Sequence, residues 1–245
     1  QNDAYDGIWY IQKDESGVVN RTLVSKMVYD GFGVDFDMSN WNTLNSALLW
    51  VADNYPAENY GLTMWDHGSG IFKNGSSVNN DITKNFCNGM KLWEMERALK
   101  NFKAKTQKKF TVIGFDVCLL GQIETAYQMA PYAEYVIASP MTEPGDGWDY
   151  VNAFSRLNGN VNLPAQDLVK DIVNTYSQSY SPGGIEYYTQ STQAATSTSL
   201  LIDKVVPALN TLAENLSGWA YYFRPQIQRA RDAAWAAPGS NGVAE

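Results

Sequence analysis

Histidine is almost absent from this sequence: there is one, His67, in 245 residues. Any chemistry that needs an imidazole must use it, and a metal site with two or three histidine ligands is excluded. Cysteine is nearly as scarce. Cys87 and Cys118 cannot build the disulfide framework that holds small secreted domains together. No apolar run approaches the roughly 20 residues that span a bilayer as a helix, so no membrane span is expected in this chain. Basic residues are few, 18 against 26 acidic ones, and the net charge is −8 with a pI near 4.7. Nucleic acid is excluded as a partner on that ground, because phosphate binding needs a basic surface. An acidic balance suits a cationic substrate instead. Internal repeats, heptad runs and charge blocks are also not seen. What the chain does have is 44% hydrophobic residues and a length that suits one large α/β domain or two small ones, with a substantial core.

The chain opens QNDAYDG, with neither an initiator Met nor a charged-then-apolar signal segment, and is read as a processed or trimmed product. Residues 40–54 place Trp41, Leu44, Leu48 and Val51 at helical spacing after a cap at Ser39 or Asn40. YGLTMWDHGSG reads as a short buried strand ending in glycines. The polar stretch from Phe72 to Gly89 reads as a long loop, of the kind that is functional or mobile in a compact domain. A helix is expected over 91–102, a basic connector over 103–109, a strand in FTVIGFDVC, a helix from Gly121 to Ala130 and a strand over 135–139. Amphipathic helices are expected over 165–180, 200–217 and 225–236. The piece 189–199 is either a strand near the sheet edge or a linker. This alternation predicts a parallel sheet covered on both faces.

In such a sheet the working residues gather beyond the carboxyl ends of the strands. One predicted strand ends at Asp66-His67-Gly68 and another at Asp116-Val117-Cys118. As parallel neighbours they would deliver an imidazole and a thiol to one crevice. A free thiol is only a few per cent thiolate at neutral pH, so an adjacent His serves as base and later protonates a leaving amine. Gly68 and the Cys118 amide could supply oxyanion donors. The plainer alternatives stand beside this: a packed inert Cys, a turn His, a capping carboxylate at Asp116 and an ordinary turn residue at Asp146. Cys87 falls in the polar loop and reads as incidental. Trp148 and Tyr150 either line a groove or pin their Gly-rich loop. Glu124 and Glu143 fit no metal-binding spacing.

YGLTMWDHGSG, GFDVCLLGQIETAYQMA, YVIASPMTEPGDGWDY and DLVKDIVNTYSQSY resemble successive blocks of the clostripain family of cysteine peptidases, related to gingipain and legumain. The resemblance runs in register from about Trp41 to Trp235 and takes in LIDKVVPALNTLAENL and IQRARDAA. It implies a caspase-like αβα sandwich with a mostly parallel central sheet, residues 1–188 forming the peptidase core and 189–245 a C-terminal helical part or small subdomain. It implies His67 as general acid/base, Cys118 as nucleophile and Gly68 in the oxyanion hole. Asp116 matches the family's pocket acid for an Arg or Lys before the scissile bond, by charge pairing, and Asp146 is a second candidate for the pocket wall.

Family members are often made as inactive precursors that cut themselves between the His and Cys strands. Lys73 and Lys84 in the polar loop are the implied self-cleavage sites here. No cofactor is required on this reading. Calcium dependence is not general to the family and stays open, and no D-x-D-x-D-G loop appears. The expected partners are protein or peptide substrates with Arg or Lys before the cut bond, the expected state is a monomer, and the expected location is outside a bacterial cytoplasm. The resemblance also implies a buried strand upstream of this chain and residues beyond Glu245. Two other functions compete: a caspase-like binding module without activity, and a carbohydrate-active protein built on two facing carboxylates.

Overall fold

The computed structural model describes residues 8–11, 21–25, 37–70, 85–86, 89–185 and 191–233. It opens with β1 (Ile8–Ile11) and β2 (Arg21–Ser25), an antiparallel pair that the sequence pattern does not mark. Helix α1 (Trp41–Asn54) starts where the Asn40 side chain accepts from the Asn42 backbone N–H at 2.9 Å, capping a first-turn donor that has no partner inside the helix. It buries Thr43, Leu44 and Leu48, and it ends before Pro56, whose ring disfavours helical backbone in the residue ahead of it.

Strand β3 (Gly61–Trp65) follows, and it is not the buried strand expected: it buries only Met64 and leaves Trp65 exposed, because it stands at the end of the described sheet with one strand neighbour. The short strands β4 (Asn85–Phe86) and β5 (Met90–Lys91) pair with each other, so the end of the expected loop is a small hairpin. Lys73, Lys84 and Cys87 lie outside the described residues. Helix α2 (Leu92–Thr106) begins with the Glu94 carboxylate accepting from the Lys91 backbone N–H at 2.9 Å. It runs four residues past its expected end. Phe102 is still in the core, while Lys103 reaches the Pro131 carbonyl at 2.9 Å and Lys105 pairs with Asp53. Cations in a last helical turn also suit the negative end of the helix dipole. The basic connector expected over 103–109 therefore shrinks to residues 107–109.

The chain continues through β6 (Phe110–Asp116), α3 (Ile123–Met129), β7 (Ala133–Ala138), α4 (Tyr150–Ala153), α5 (Ser155–Gly159) and α6 (Ala165–Ser179). Strand β8 (Ala194–Ser197) settles the open choice at 189–199 in favour of a strand at the sheet edge. The main sheet has the order β3-β6-β7-β8, with β3, β6 and β7 parallel and β8 antiparallel to β7. Strand β6 is bonded on both sides and buried at every residue but Thr111, as its β-branched and aromatic run demands. Ile113 and Phe115 join Leu44, Leu48, Met95, Leu99 and Phe102 in one core. Val112 faces the opposite side, with Ile137, Val169, Ile172 and Tyr176. Helices on both faces of a mostly parallel sheet make the expected αβα sandwich.

After β8, α7 (Thr198–Leu200) passes through a π-helical turn into α8 (Val206–Ala233). The two helices expected over 200–217 and 225–236 are thus one. It bends where Phe223 leaves helical geometry, ahead of Pro225, which removes a backbone donor and crowds the preceding turn. Ile202, Val205, Leu209, Leu212, Leu216, Trp219 and Phe223 recur at alternating steps of three and four, a heptad row that the sequence reading overlooks. All of them are exposed.

The two kinds of apolar position predict opposite responses in urea unfolding. Phe102→Ala removes a ring that is 1% exposed and packs against Phe110 and Tyr60, and should cost about 3–5 kcal/mol. Leu212→Ala on exposed α8 should change stability by less than about 0.5 kcal/mol.

Candidate active site

The parallel pairing of β3 with β6 sets the geometry. Trp65 lies opposite Asp116, so the two strands finish level, and His67 and Cys118 each follow two residues later. The contact between the two ends is close. A Cβ on Gly68 would fall onto the Cys118 carbonyl oxygen and stand 3.2 Å from the Cys118 backbone nitrogen, so only glycine lets the two backbones meet. His67 is exposed, and its backbone N–H donates to the Asp66 carboxylate at 2.6 Å.

Cys118 sits in a turn tied down from the loop after β7. The Leu119 N–H donates to the Met141 carbonyl at 2.9 Å and the Gly121 N–H to the Ser139 carbonyl at 2.7 Å. The buried Ser139 hydroxyl braces that loop, bonding both Met141 N–H and Met141 O at 3.0 Å. The thiol itself accepts from the Glu143 backbone N–H at 3.2 Å and lies 3.8 Å from the Glu143 carbonyl oxygen, toward which its S–H can donate.

Asp116 is 2% exposed, and burying a carboxylate demands donors. Its Oδ2 accepts from the Trp148 backbone N–H at 3.2 Å and from the Tyr150 hydroxyl at 2.6 Å. Gly147 holds a left-handed backbone (φ +63°), and a Cβ there would stand 2.8 Å from Asp116 Oδ2, so the loop closes on the carboxylate only with glycine. The Tyr180 hydroxyl donates to the Gly147 carbonyl at 2.5 Å and fixes the loop from α6. Burial, then the bond to Asp116, pushes the Tyr150 hydroxyl well above its usual range, so it stays a donor.

The carboxyl that faces Asp116 is Glu143. Gln193, just ahead of β8, donates to Glu143 Oε1 at 3.0 Å. Burial raises the Glu143 pKa to about 10, helped by its bond to Asp116 and by the charges of Asp116 and Cys118, against a lowering by Gln193. Apart from the contact between the two carboxyls, which is a hydrogen bond only if one holds a proton, Asp116 Oδ1, Glu143 Oε2, Trp148 Nε1, Tyr176 Oη and Gln193 Oε1 are buried with no hydrogen-bond partner.

His67, Gly68, Asp116 and Cys118 thus share one end of the sheet. Asp146 is exposed on the loop between Glu143 and Trp148. Trp148 is buried and Tyr150 is bonded to Asp116, so both pin the loop. Glu143 and Gln193 were not legible as site residues. Glu143 carries no spacing signal, and Gln193 lies at the site because β8 runs antiparallel and begins at the edge where β7 ends, Ala138 opposite Ala194. Among the described residues no group of three His, Cys, Asp or Glu stands close enough to hold a metal ion, and no helix is long and apolar enough to cross a membrane.

The sequence model of the clostripain family matches residues 4–234. No curated protein matches the chain. Among solved structures, it is similar to a secreted C11 cysteine protease from Bacteroides thetaiotaomicron in complex with an irreversible peptide inhibitor, at 22% identity and a TM-score of 0.58, over 79% of this chain and 52% of that one. It is also similar to an inactive zymogen C11 protease from Parabacteroides distasonis, at 21% identity and a TM-score of 0.57, over 80% of this chain and 48% of that one. The match thus covers about half the length of each of those chains, and the likeness establishes the caspase-like fold.

Tyr150→Phe should destabilise the protein by about 1.5–3 kcal/mol, because it strips a donor from a buried carboxylate. The same change in an Asp116→Asn background should have a much smaller effect, and a double-mutant cycle in urea checks the coupling.

Proposed function

We infer the function from one premise: the chain belongs to the clostripain family of cysteine peptidases. On that footing it is a cysteine endopeptidase that cuts peptide bonds after Arg or Lys, with Cys118 as nucleophile and His67 as general acid/base. The observation that carries the reading is the seating of Gly68 on the Cys118 backbone at the sheet edge, with buried Asp116 two residues before the thiol. A peptide carbonyl held there meets the Cys118 sulfur. The imidazole takes the thiol proton and returns it to the leaving amine, and backbone N–H groups at Gly68 and Cys118 stabilise the oxyanion. Asp116 supplies the negative charge that a basic side chain seeks.

The protein is made as a precursor on this reading, and in the described state the Cys118 thiol bonds to the Glu143 backbone. The similarity to an inactive zymogen is in keeping with that. Lys73 and Lys84 are the proposed self-cleavage sites. Export is part of the reading, since one similar structure is of a secreted protease.

The test is hydrolysis of Arg- and Lys-aminomethylcoumarin peptides with a thiol reductant present. Cys118→Ala should abolish cleavage, and His67→Ala should lower kcat by about 10²–10⁴-fold. Peptides with acidic or apolar residues before the coumarin should be poor substrates, and equal cleavage of all would overturn the assignment of Asp116. On incubation, wild type should yield two fragments, the C-terminal one beginning after Lys73 or Lys84, while Cys118→Ala stays whole. Fragments from both proteins would rule out self-cleavage.

A further inference from the structure

Asp116 and Glu143 face each other beside Cys118, each with one oxygen occupied and one not. Asp116 Oδ2 is held by the Trp148 N–H and the Tyr150 hydroxyl, and Glu143 Oε1 by Gln193. The remaining oxygens, Asp116 Oδ1 and Glu143 Oε2, are sealed from solvent with no donor. Two buried carboxylates in contact are unfavourable twice over, by desolvation and by like-charge repulsion. A single proton between them removes the repulsion and one of the two buried charges, and leaves neither oxygen an orphan.

We propose that Glu143 is a second specificity-determining acid at the base of the Cys118 crevice, that it shares one proton with Asp116 while the crevice is empty, and that a cationic side chain of the substrate displaces this proton. The proposal deepens the peptidase reading and rests on it for the identity of the cation. Three facts support it. The first is the pair of sealed, donor-less oxygens. The second is position, because the Glu143 backbone is also what the thiol bonds to, so the residue joins the carboxyl pair to the thiol. The third is the company it keeps. Asp116 and Cys118 at the end of β6, Tyr150 on α4 and Tyr176 on α6 act electrostatically on this carboxyl or are acted on by it, and none of them is a cation. Gln193, ahead of β8, is neutral. With one proton the pair carries one negative charge, and with the proton gone it carries two, so the bound cation meets both carboxylates ionised. On binding, the guanidinium or ammonium N–H groups take over Asp116 Oδ1 and Glu143 Oε2, the O–H bond of the carboxylic acid breaks, and the proton leaves to solvent.

The sign follows from linkage. A carboxyl whose folded pKa lies near 10 instead of 4.5 stabilises the fold fully below pH 4.5 and loses that contribution progressively as pH rises toward 10. Glu143→Gln keeps the shape and a donor toward Asp116 but has no proton to lose. Its Tm should exceed that of wild type at pH 8–9, with the gap closing by pH 4.5. Identical pH dependence in the two proteins would overturn the shared proton, and this arm needs no catalysis. The second arm is KM for an Arg peptide, whose side chain stays charged throughout. Wild-type KM should fall by about tenfold per pH unit between pH 7 and 9, while that of Glu143→Gln stays flat, whatever pH dependence Cys118 and His67 give to kcat in both. A flat wild-type KM, or a fall of the same size in Glu143→Gln, would overturn the displacement. Failure of wild type to cleave any basic peptide would instead sink the peptidase reading and leave the Tm comparison to decide the proton.

Discussion

A carboxylate at the end of a central strand, sealed from water, has to be supplied with donors from somewhere, and at Asp116 they come from the loop after β7. The Trp148 amide and the Tyr150 hydroxyl converge on Oδ2, and Gly147 folds over the carboxyl in a left-handed conformation. The demand of one buried charge therefore determines where residues 139–150 lie. That loop in turn grips the turn that carries Cys118, through Ser139, Met141 and Glu143. The Cys118 thiol, the Asp116 carboxylate and the loop are parts of one hydrogen-bonded unit, so a change at Tyr150 or Gly147 reaches Cys118 without touching it.

The strand ladder brings in the other half. Because Trp65 and Asp116 are opposite each other, the β3 and β6 ends are level, and Gly68 can lie on the Cys118 backbone. The antiparallel edge strand β8 then brings Gln193 to the same end of the sheet from a distant part of the sequence. Parallel strands supply the reactive ends, and a single antiparallel strand supplies a residue from its beginning.

Much of this was legible because burial leaves a plain signature. FTVIGFD is too apolar and too β-branched to be anything but a buried strand, whereas YGLTMW misleads, since its strand stands at the end of the described sheet with Met64 buried and Trp65 exposed. Placing reactive residues at the ends of such strands needs only the rule for open parallel sheets. Glu143 was not legible, since its role depends on a loop conformation that follows from donors to Asp116 rather than from its own neighbours in sequence. Gln193 was hidden by a Thr- and Ser-rich segment whose polarity suits an edge strand and a linker equally. Pro225 obscured the continuity of α8 by dividing one helical pattern into two, and with it the heptad row. Lys103 and Lys105 looked like the start of a connector, although long cationic side chains sit comfortably on the wet face of a helix that is still packing Phe102 inward.

The β3–β6 ladder has one more consequence. It joins residues before position 70 to residues after position 109, and α1 packs with α2 across the same span through Leu44, Leu48, Met95 and Leu99. The two sides are thus held by a parallel ladder and a shared apolar core, independent of the peptide bonds between them. If the chain is severed between β3 and α2, the pieces remain docked. What changes is the thermodynamics: unfolding then yields two molecules rather than one, and stability becomes a function of protein concentration.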